Sequence, residues 1–294
     1  MVPITMKFVF GLLSFATVGL IIGSISQLAL LRQPEDSLGK NLHSYYVAMG
    51  LRIFEDVKLP FGIPFRKNDK EAEILRLRYI KPEVLSWSPR IILLRNFLSM
   101  EECEYLKALG YPGLQSSRVI DGKTGKSVDS KGRTSSGMFL SSKDRLHPMV
   151  QEIERRISIY AQVPVENGEP LQILRYEENQ FYETHFDYFT DTHNFKNGGQ
   201  RIATMLMYLS DDAEGGETYF PKGGSGECNC GGKIVEGLSV KPIKGNAVLF
   251  WSMGLSGQSD RNSVHKACEV LSGTKWSAVK WMRQRAFHQV QRVI

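Results

Sequence analysis

From residue 171 onward the chain is one short apolar run after another. The runs are "LQILRY", "RIATMLMYLS", "ETYFP", "LSVKPIKGNAVLFW", "SVHKACEVL" and "TKWSAVKWMRQ", each bounded by Gly, Asn, Asp or Ser. Many short strands with turn signals at their ends restrict the chain to an antiparallel sandwich, barrel or jelly roll. In "RIATMLMYL", Ile202, Thr204, Leu206 and Tyr208 alternate with Ala203, Met205, Met207 and Leu209. Successive strand side chains point to opposite faces, so a strand apolar on both faces belongs in the interior of a sheet. Two helices precede this region. In "SMEECEYLKALGYPG", Ser99 and Glu102 form a capping box and Gly110 and Pro112 stop the helix. In "SKDRLHPMVQEIERRISIYAQV", Pro148 suits a first turn and Val150, Ile153 and Ile157 share one face. The polar "DGKTGKSVDSKGRTSSG" between them reads as a loop or hairpin. The fold class expected is α+β.

The other end of the chain imposes a different constraint. Phe8 to Leu31, "FVFGLLSFATVGLIIGSISQLALL", is 24 residues without a charge. A membrane-spanning helix needs ~20 apolar residues, whereas a cleaved signal has a shorter core and a cleavage site. The run therefore reads as an uncleaved transmembrane signal anchor over 8–31. Lys7 on one side and Arg32 on the other nearly balance, with a lean toward a cytoplasmic amino terminus and a lumenal body. Residues 32–85 read as a stem, with Pro60, Gly62 and Pro64 interrupting regular structure and "KEAEILRLRY" able to form a short helix.

Four cysteines, Cys103, Cys228, Cys230 and Cys268, permit two disulfides of open connectivity. The single residue between Cys228 and Cys230 is short for zinc. The net charge of +6 is spread among Asp and Glu, with no dense basic block, so nucleic acid is not an expected partner.

In "THFDYF", His185 and Asp187 fall on one strand face and supply two corners of a two-His, one-carboxylate triad. That set suits non-haem Fe(II), because it leaves coordination positions open. Of the six histidines, His43 lies in the stem, His147 starts a helix, His193 is in a polar loop and His288 is near the carboxyl end. His265, within an apolar strand, remains as the third ligand. Lys275 lies ten residues further on in a run rich in Trp, Val and Ala, where a buried ammonium needs an anionic partner. Lys280 falls on the opposite face.

"LQILRYEENQFYETHFDYF", "GGQRIATMLMYLSDDAEGGETYFP", "GNAVLFWS", "SVHKACEVLSGTKWSAVKWMR" and "GRTSSGMFL" together resemble the catalytic domain of plant-type prolyl 4-hydroxylases over roughly 200 residues. The resemblance implies a double-stranded β-helix (jelly roll) core flanked by helices, occupying 86–288 behind the stem and the N-terminal transmembrane helix. It implies conversion of peptidyl proline to 4-hydroxyproline with Fe(II), 2-oxoglutarate, O2 and ascorbate. His185, Asp187 and His265 would hold the metal, and Lys275 the distal carboxylate of 2-oxoglutarate, with Tyr176 and Thr204 supporting that pocket. Tyr182, Arg201 and Trp281 would line a peptide groove, with Arg133 a contact on a covering loop. Phe186, Tyr188 and Phe189 read as packing that holds the ligands. Proline-rich secretory proteins are the implied substrates: cell-wall glycoproteins or peptides. The implied residence is the endoplasmic reticulum or Golgi membrane, single-pass type II with a lumenal catalytic domain. Assembly as a homo- or hetero-oligomer is compatible with this.

The chain departs from the family pattern at Lys266-Ala267, where two glycines are common, and at Asn179 and Thr184. "KGGSGECNCGGK" is shorter than the usual insert, and its cysteines could staple a loop or pair with Cys268. A related dioxygenase with another substrate and a catalytically inert peptide-binding module are the alternatives.

Overall fold

The computed structural model describes residues 79–288 and a small ladder pairing Val57–Lys58 with Pro64–Phe65. The run 8–31 and the stem helix read in "KEAEILRLRY" lie outside the described residues, apart from Tyr79 at the end of the latter. Two sheets and two longer helices dominate. The strands of the sheets are β1 (Lys81–Trp87), β2 (Arg90–Arg95), β3 (Gln115–Ser116), β4 (Ser136–Phe139), β5 (Gln172–Tyr176), β6 (Tyr182–His185), β7 (Arg201–Tyr208), β8 (Thr218–Phe220), β9 (Leu238–Val240), β10 (Ala247–Trp251), β11 (His265–Ala267) and β12 (Lys275–Arg283). The helices are α1 (Met100–Gly110) and α2 (Pro148–Ala161).

The larger sheet has eight antiparallel strands in the order β1-β2-β10-β7-β12-β5-β4-β3, and the smaller has four, β6-β11-β8-β9. β7 sits in the middle of the larger sheet, as its two apolar faces require. Ile91, Leu93, Tyr208 and Val248 from the large sheet meet Phe220 and Val240 from the small one in a shared buried cluster. The Tyr208 hydroxyl donates to Thr218 Oγ1 across the same space at 2.8 Å. The helices cover the other face of the large sheet. α1 begins with the expected Ser99–Glu102 capping box and lies so close to β5 that a Cβ on Gly110 would fall 2.6 Å from Ile173 Cγ2. α2 buries Val150, Ile153 and Ile157 and offers Glu154 to Lys280 on β12.

Two parts of the expected fold are corrected. The core is not a closed jelly roll. β1 and β3 end one open sheet, β6 and β9 end the other, and among the described residues no ladder joins those edges. Closure needs every edge strand hydrogen-bonded to a neighbour; here, two open sheets are held by side-chain packing and by an isolated backbone bridge between Arg133, just before β4, and Tyr182 on β6. Among the described residues no helix is long and apolar enough to cross a membrane, so the expected membrane helix has no counterpart there; the run 8–31 itself lies outside them.

Two long runs also divide. "LSVKPIKGNAVLFW" splits into β9 and β10, which belong to different sheets. "SVHKACEVL" splits into β11 and Val270–Ser272, because Cys268 turns to bond the Glu217 carbonyl and to pair with Cys230.

Candidate active site

Strand register builds the centre of the site. β6 and β11 run antiparallel with His185 directly opposite His265, so the two rings lie 4.2 Å apart. Asp187 follows two residues after His185. Its Oδ1 is 3.7 Å from His185 Nε2 and its Oδ2 is 3.7 Å from His265 Nε2. The three side chains can offer donor atoms that all lie within 4.8 Å of one another, a cluster able to hold a metal ion.

Each member is aimed by its neighbours. His185 Nδ1 is 2.7 Å from the Glu183 carbonyl and His265 Nδ1 is 3.0 Å from the Ser263 carbonyl. Donation of Nδ1–H to a carbonyl fixes the tautomer and leaves the Nε2 lone pair free for a metal. Tyr182 stacks on the His185 ring at 3.6 Å, and Phe250 packs against His265 at 4.7 Å. The Thr204 hydroxyl donates to Asp187 Oδ2 at 2.6 Å.

The electrostatics suit a divalent cation. Burial, reinforced by His265, pushes the His185 imidazolium down to about 3, although the ring keeps 18 % exposure at the cleft mouth. Burial alone would raise the Asp187 carboxyl, but His265, His185, Arg201 and the Thr204 hydroxyl outweigh it and hold it below the usual range. Two imidazole nitrogens and one carboxylate form a donor set that fits Fe(II) with positions left over.

Two cavities meet here, and Arg133, Tyr182, His185, Asp187 and Trp281 line both. The outer one is a groove of about 870 Å³. The inner one is narrow and reaches Tyr176 and Lys275. Lys275 stands opposite Tyr176 in the β12–β5 register and is 2 % exposed. Its Nζ lies 5.2 Å from the Tyr176 ring centre and 5.9 Å from that of Tyr208. Burial pushes the ammonium down to about 8 against the pull of Glu217, and it forms no ion pair among the described residues. Three further buried polar atoms on this cavity's lining lack a hydrogen-bond partner: Ser277 Oγ, Trp281 Nε1 and Arg133 Nε. A buried cation beside orphaned donors fits a small, polar, anionic ligand.

The remaining sequence candidates occupy defined places. Thr204 contacts Asp187, so its hydroxyl orients a candidate ligand. Arg133 is buried. It donates to the Arg118 carbonyl at 3.0 Å and to Gln172 Oε1 at 3.1 Å, and lies over the Tyr182 ring at 4.7 Å. Arg201 lines the outer groove but not the inner cavity. It forks onto Glu169 at 2.7 and 2.8 Å and lies over the Trp281 indole at 4.0 Å. Lys280 faces away from the site and pairs with Glu154.

Sequence reasoning missed Glu169, which also binds Arg283; nothing in its local pattern marks it. It also missed Ser277, although Ser277 follows Lys275 by two residues on one strand and so shares its face. The three aromatics read as packing all line the outer groove; Phe189 is buried there, while Phe186 is exposed. At the altered positions, Asn179 adopts a left-handed φ of 64°, which Asn tolerates where Gly is common. Lys266 reaches Glu183 at 3.5 Å on the neighbouring strand. Cys230 is disulfide-bonded to Cys268, three residues beyond His265.

Comparison with known proteins places this geometry. Residues 171–283 match the model of the 2OG-Fe(II) oxygenase superfamily. The chain is 61% identical over 281 residues to prolyl 4-hydroxylase 1 of Arabidopsis thaliana, covering 96% of this chain and 98% of that protein. It is 51% identical over 208 residues to probable prolyl 4-hydroxylase 10 of the same plant, covering 68% and 71%. The fold is similar to that of the viral collagen prolyl hydroxylase of Paramecium bursaria Chlorella virus-1 in its 2OG complex. That match has a TM-score of 0.50 and 24% identity, covering 66% of this chain and 95% of the viral one.

Proposed function

This chain belongs to the prolyl 4-hydroxylase family, and from that premise we propose how its residues divide the work. It is an Fe(II)- and 2-oxoglutarate-dependent dioxygenase that converts peptidyl proline to 4-hydroxyproline with O2. His185, Asp187 and His265 hold the metal. Lys275 takes the distal carboxylate of 2-oxoglutarate at the blind end of the inner cavity, flanked by Tyr176. The outer groove takes the peptide, with Tyr182, Arg133, Arg201 and Trp281 at the junction. The observation that carries this division is the buried, unpaired Lys275 ammonium, which shares one cavity with the His185–Asp187–His265 cluster.

Iron held by the three ligands would supply the redox chemistry that replaces a C–H bond of proline by C–OH, with O2 as oxidant and oxygen source and 2-oxoglutarate as the two-electron reductant that leaves as succinate and CO2. The protein supplies position and exclusion. Lys275 fixes the cosubstrate's far end, so its other end meets the metal in one orientation. Thr204 holds Asp187 Oδ2, and the Glu183 and Ser263 carbonyls hold the two imidazoles. Leu206 and Val279 form apolar inner walls that exclude water from the cosubstrate. Glu169 holds Arg201 over the Trp281 ring, which stiffens the junction between the cavities.

The proposed substrates are proline-rich proteins of the secretory pathway, such as cell-wall glycoproteins or peptides. The catalytic unit is assigned to 86–288, acting in the lumen of the endoplasmic reticulum or Golgi with ascorbate as auxiliary reductant. The Cys230–Cys268 disulfide supports an oxidising compartment. The test is the purified protein with Fe(II), ascorbate, 2-oxoglutarate and a panel of proline-rich peptides, read by mass spectrometry. The expected result is a gain of one oxygen atom on proline, lost in Asp187→Ala. Full activity of Asp187→Ala would overturn the ligand assignment.

A further inference from the structure

Three of the chain's four cysteines gather just beyond β11. Cys228 and Cys230 lie on the strand Glu227–Cys230, which pairs with Lys233–Glu236 in a hairpin turned by Gly231 and Gly232, both at positive φ. Two residues apart, the two cysteines share one face of that strand. Burial agrees: Glu227 and Asn229 are exposed, Cys228 is half-buried and Cys230 is buried. Cys230 is bonded to Cys268, whereas Cys228 keeps a free thiol. Cys268 in turn sits three residues beyond His265, with its amide donating to the Glu217 carbonyl at 2.9 Å. The hairpin has other anchors. Gly231 N–H donates to Glu217 Oε2 at 3.0 Å, and the Tyr219 hydroxyl on β8 donates to the Glu236 carbonyl at 2.6 Å. The hairpin therefore stays docked beside β8 when the disulfide opens, and Cys228 stays within reach of it.

We propose that Cys228 is an exchange thiol, which moves the disulfide from Cys230–Cys268 to Cys228–Cys230 and so unties the segment behind His265; its bearing on the metal rests on the ligand assignment above. The Cys228 thiolate attacks Cys230 Sγ. A Cys228–Cys230 bond forms, the Cys230–Cys268 bond breaks, and Cys268 leaves as a thiolate that takes up the proton Cys228 lost. One thiol and one disulfide stand on each side, so the step consumes no oxidant or reductant. The reach agrees. Two strand residues span ~6.6 Å, just inside the roughly 6.8 Å that a disulfide allows between Cα atoms; in the starting pair that separation is 5.2 Å. In the tied form a covalent link fixes the chain just past β11, and with it the His265 that register sets opposite His185. In the untied form hydrogen bonds and packing alone hold that end of β11, and the metal cluster loosens.

The full-length protein is quenched in acid, which removes the attacking thiolate, and its disulfides are mapped by peptide mass spectrometry. The expected result is that wild type contains both the Cys230–Cys268 and the Cys228–Cys230 linkage, and that Cys228→Ser contains the first alone. Mn(II), which stands in for iron without its redox chemistry, should with 2-oxoglutarate shift wild type toward Cys230–Cys268, because coupling between two equilibria is reciprocal. Cys268→Ser is oxidised with glutathione disulfide, which leaves as two glutathione thiols, to close Cys228–Cys230. It should bind Mn(II) about tenfold more weakly than Cys228→Ser. Cys103 is buried, so its resistance to alkylation under native conditions shows that each variant is folded; where Cys268→Ser fails that check, the Mn(II)-dependent shift in wild type decides. Absence of the Cys228–Cys230 linkage from wild type overturns the exchange, and a linkage ratio indifferent to Mn(II) overturns its coupling to the metal. Loss of Mn(II) binding in every form, with both linkages present, would sink the ligand assignment and leave the exchange standing; proline hydroxylation by a protein that holds Cys230–Cys268 alone would do the reverse.

Discussion

Thr204→Val removes one hydroxyl from the back of the site and leaves the β-branched shape of the side chain. The hydroxyl donates to Asp187 Oδ2 at 2.6 Å, and both residues are buried. A hydrogen bond to a charged group contributes about 1.5–3 kcal/mol, which at ~1.4 kcal/mol per decade corresponds to roughly 10- to 100-fold in whatever equilibrium depends on that carboxylate. The carboxylate is the proposed metal ligand, so the loss should appear in metal affinity, where outer contacts of this kind are typically worth about 10–100-fold. The assay is activity against free Fe(II) at saturating 2-oxoglutarate, alongside direct titration with a non-redox divalent cation. The half-saturating Fe(II) concentration should rise by about one to two decades, Thr204→Ser should restore it, and excess Fe(II) should recover most of kcat. A raised KM for 2-oxoglutarate with unchanged metal affinity would refute this, and would return Thr204 to the cosubstrate pocket where the resemblance placed it.

Lys275→Met should raise the KM for 2-oxoglutarate by about 100-fold or more, since a buried carboxylate left without its partner costs roughly 3–5 kcal/mol. The same variant should melt no lower than wild type without ligand and lose the melting-temperature gain that 2-oxoglutarate gives wild type; a preserved gain would exclude Lys275 as the carboxylate partner. The folded Lys275 ammonium titrates at about 8 against 10.5 unfolded, so between those values the unfolded chain binds more protons. Stability without ligand should therefore gain a rising contribution from pH 8 to 10.5, while 2-oxoglutarate affinity falls as the ammonium is lost. Denaturant midpoints and KM across that range, compared with Lys275→Met, check both signs. Replacing Cys230 and Cys268 by Ser opens a link across 38 residues and should cost about 3–4 kcal/mol. Chemical denaturation measures the loss, and an unchanged midpoint would show that packing alone holds the hairpin of Glu227–Cys230 and Lys233–Glu236 to the segment after β11.

Local chemistry was legible in the sequence; long-range pairing was not. The Ser99–Glu102 capping box and the Val150–Ile153–Ile157 face depend on neighbours within a turn or two, and both stand where their spacing puts them. β7 announced its interior place by being apolar on both faces. His185 and Asp187 were expected on one strand face, but the strand ends at His185 and Asp187 sits in the bend beyond it; the approach of His265 depends on the β6–β11 register across 79 intervening positions. The split of "SVHKACEVL" came from a disulfide partner far upstream, and the openness of the sheets from edges that no local pattern encodes. Arg133 looked like a loop contact because its neighbours are Gly, Ser and Thr; its burial is set by Gln172 and Tyr182, which arrive from other strands.

The head-on pairing of His185 and His265 has a consequence for how such a chain can vary over generations. A strand that slips by one position presents every side chain to the opposite side, and the candidates to replace His265 opposite His185 are Val264 or Lys266, neither of which can serve in its place. Metal competence is therefore all or none with respect to small insertions within β6 or β11. The 252–264 segment before β11 and the hairpin between Val119–Ile120 and Ser127–Val128 carry no such arithmetic and can lengthen or shorten. Descendants of this sequence should diversify the rim that meets the peptide while leaving the count of residues between Tyr182 and Asp187 untouched.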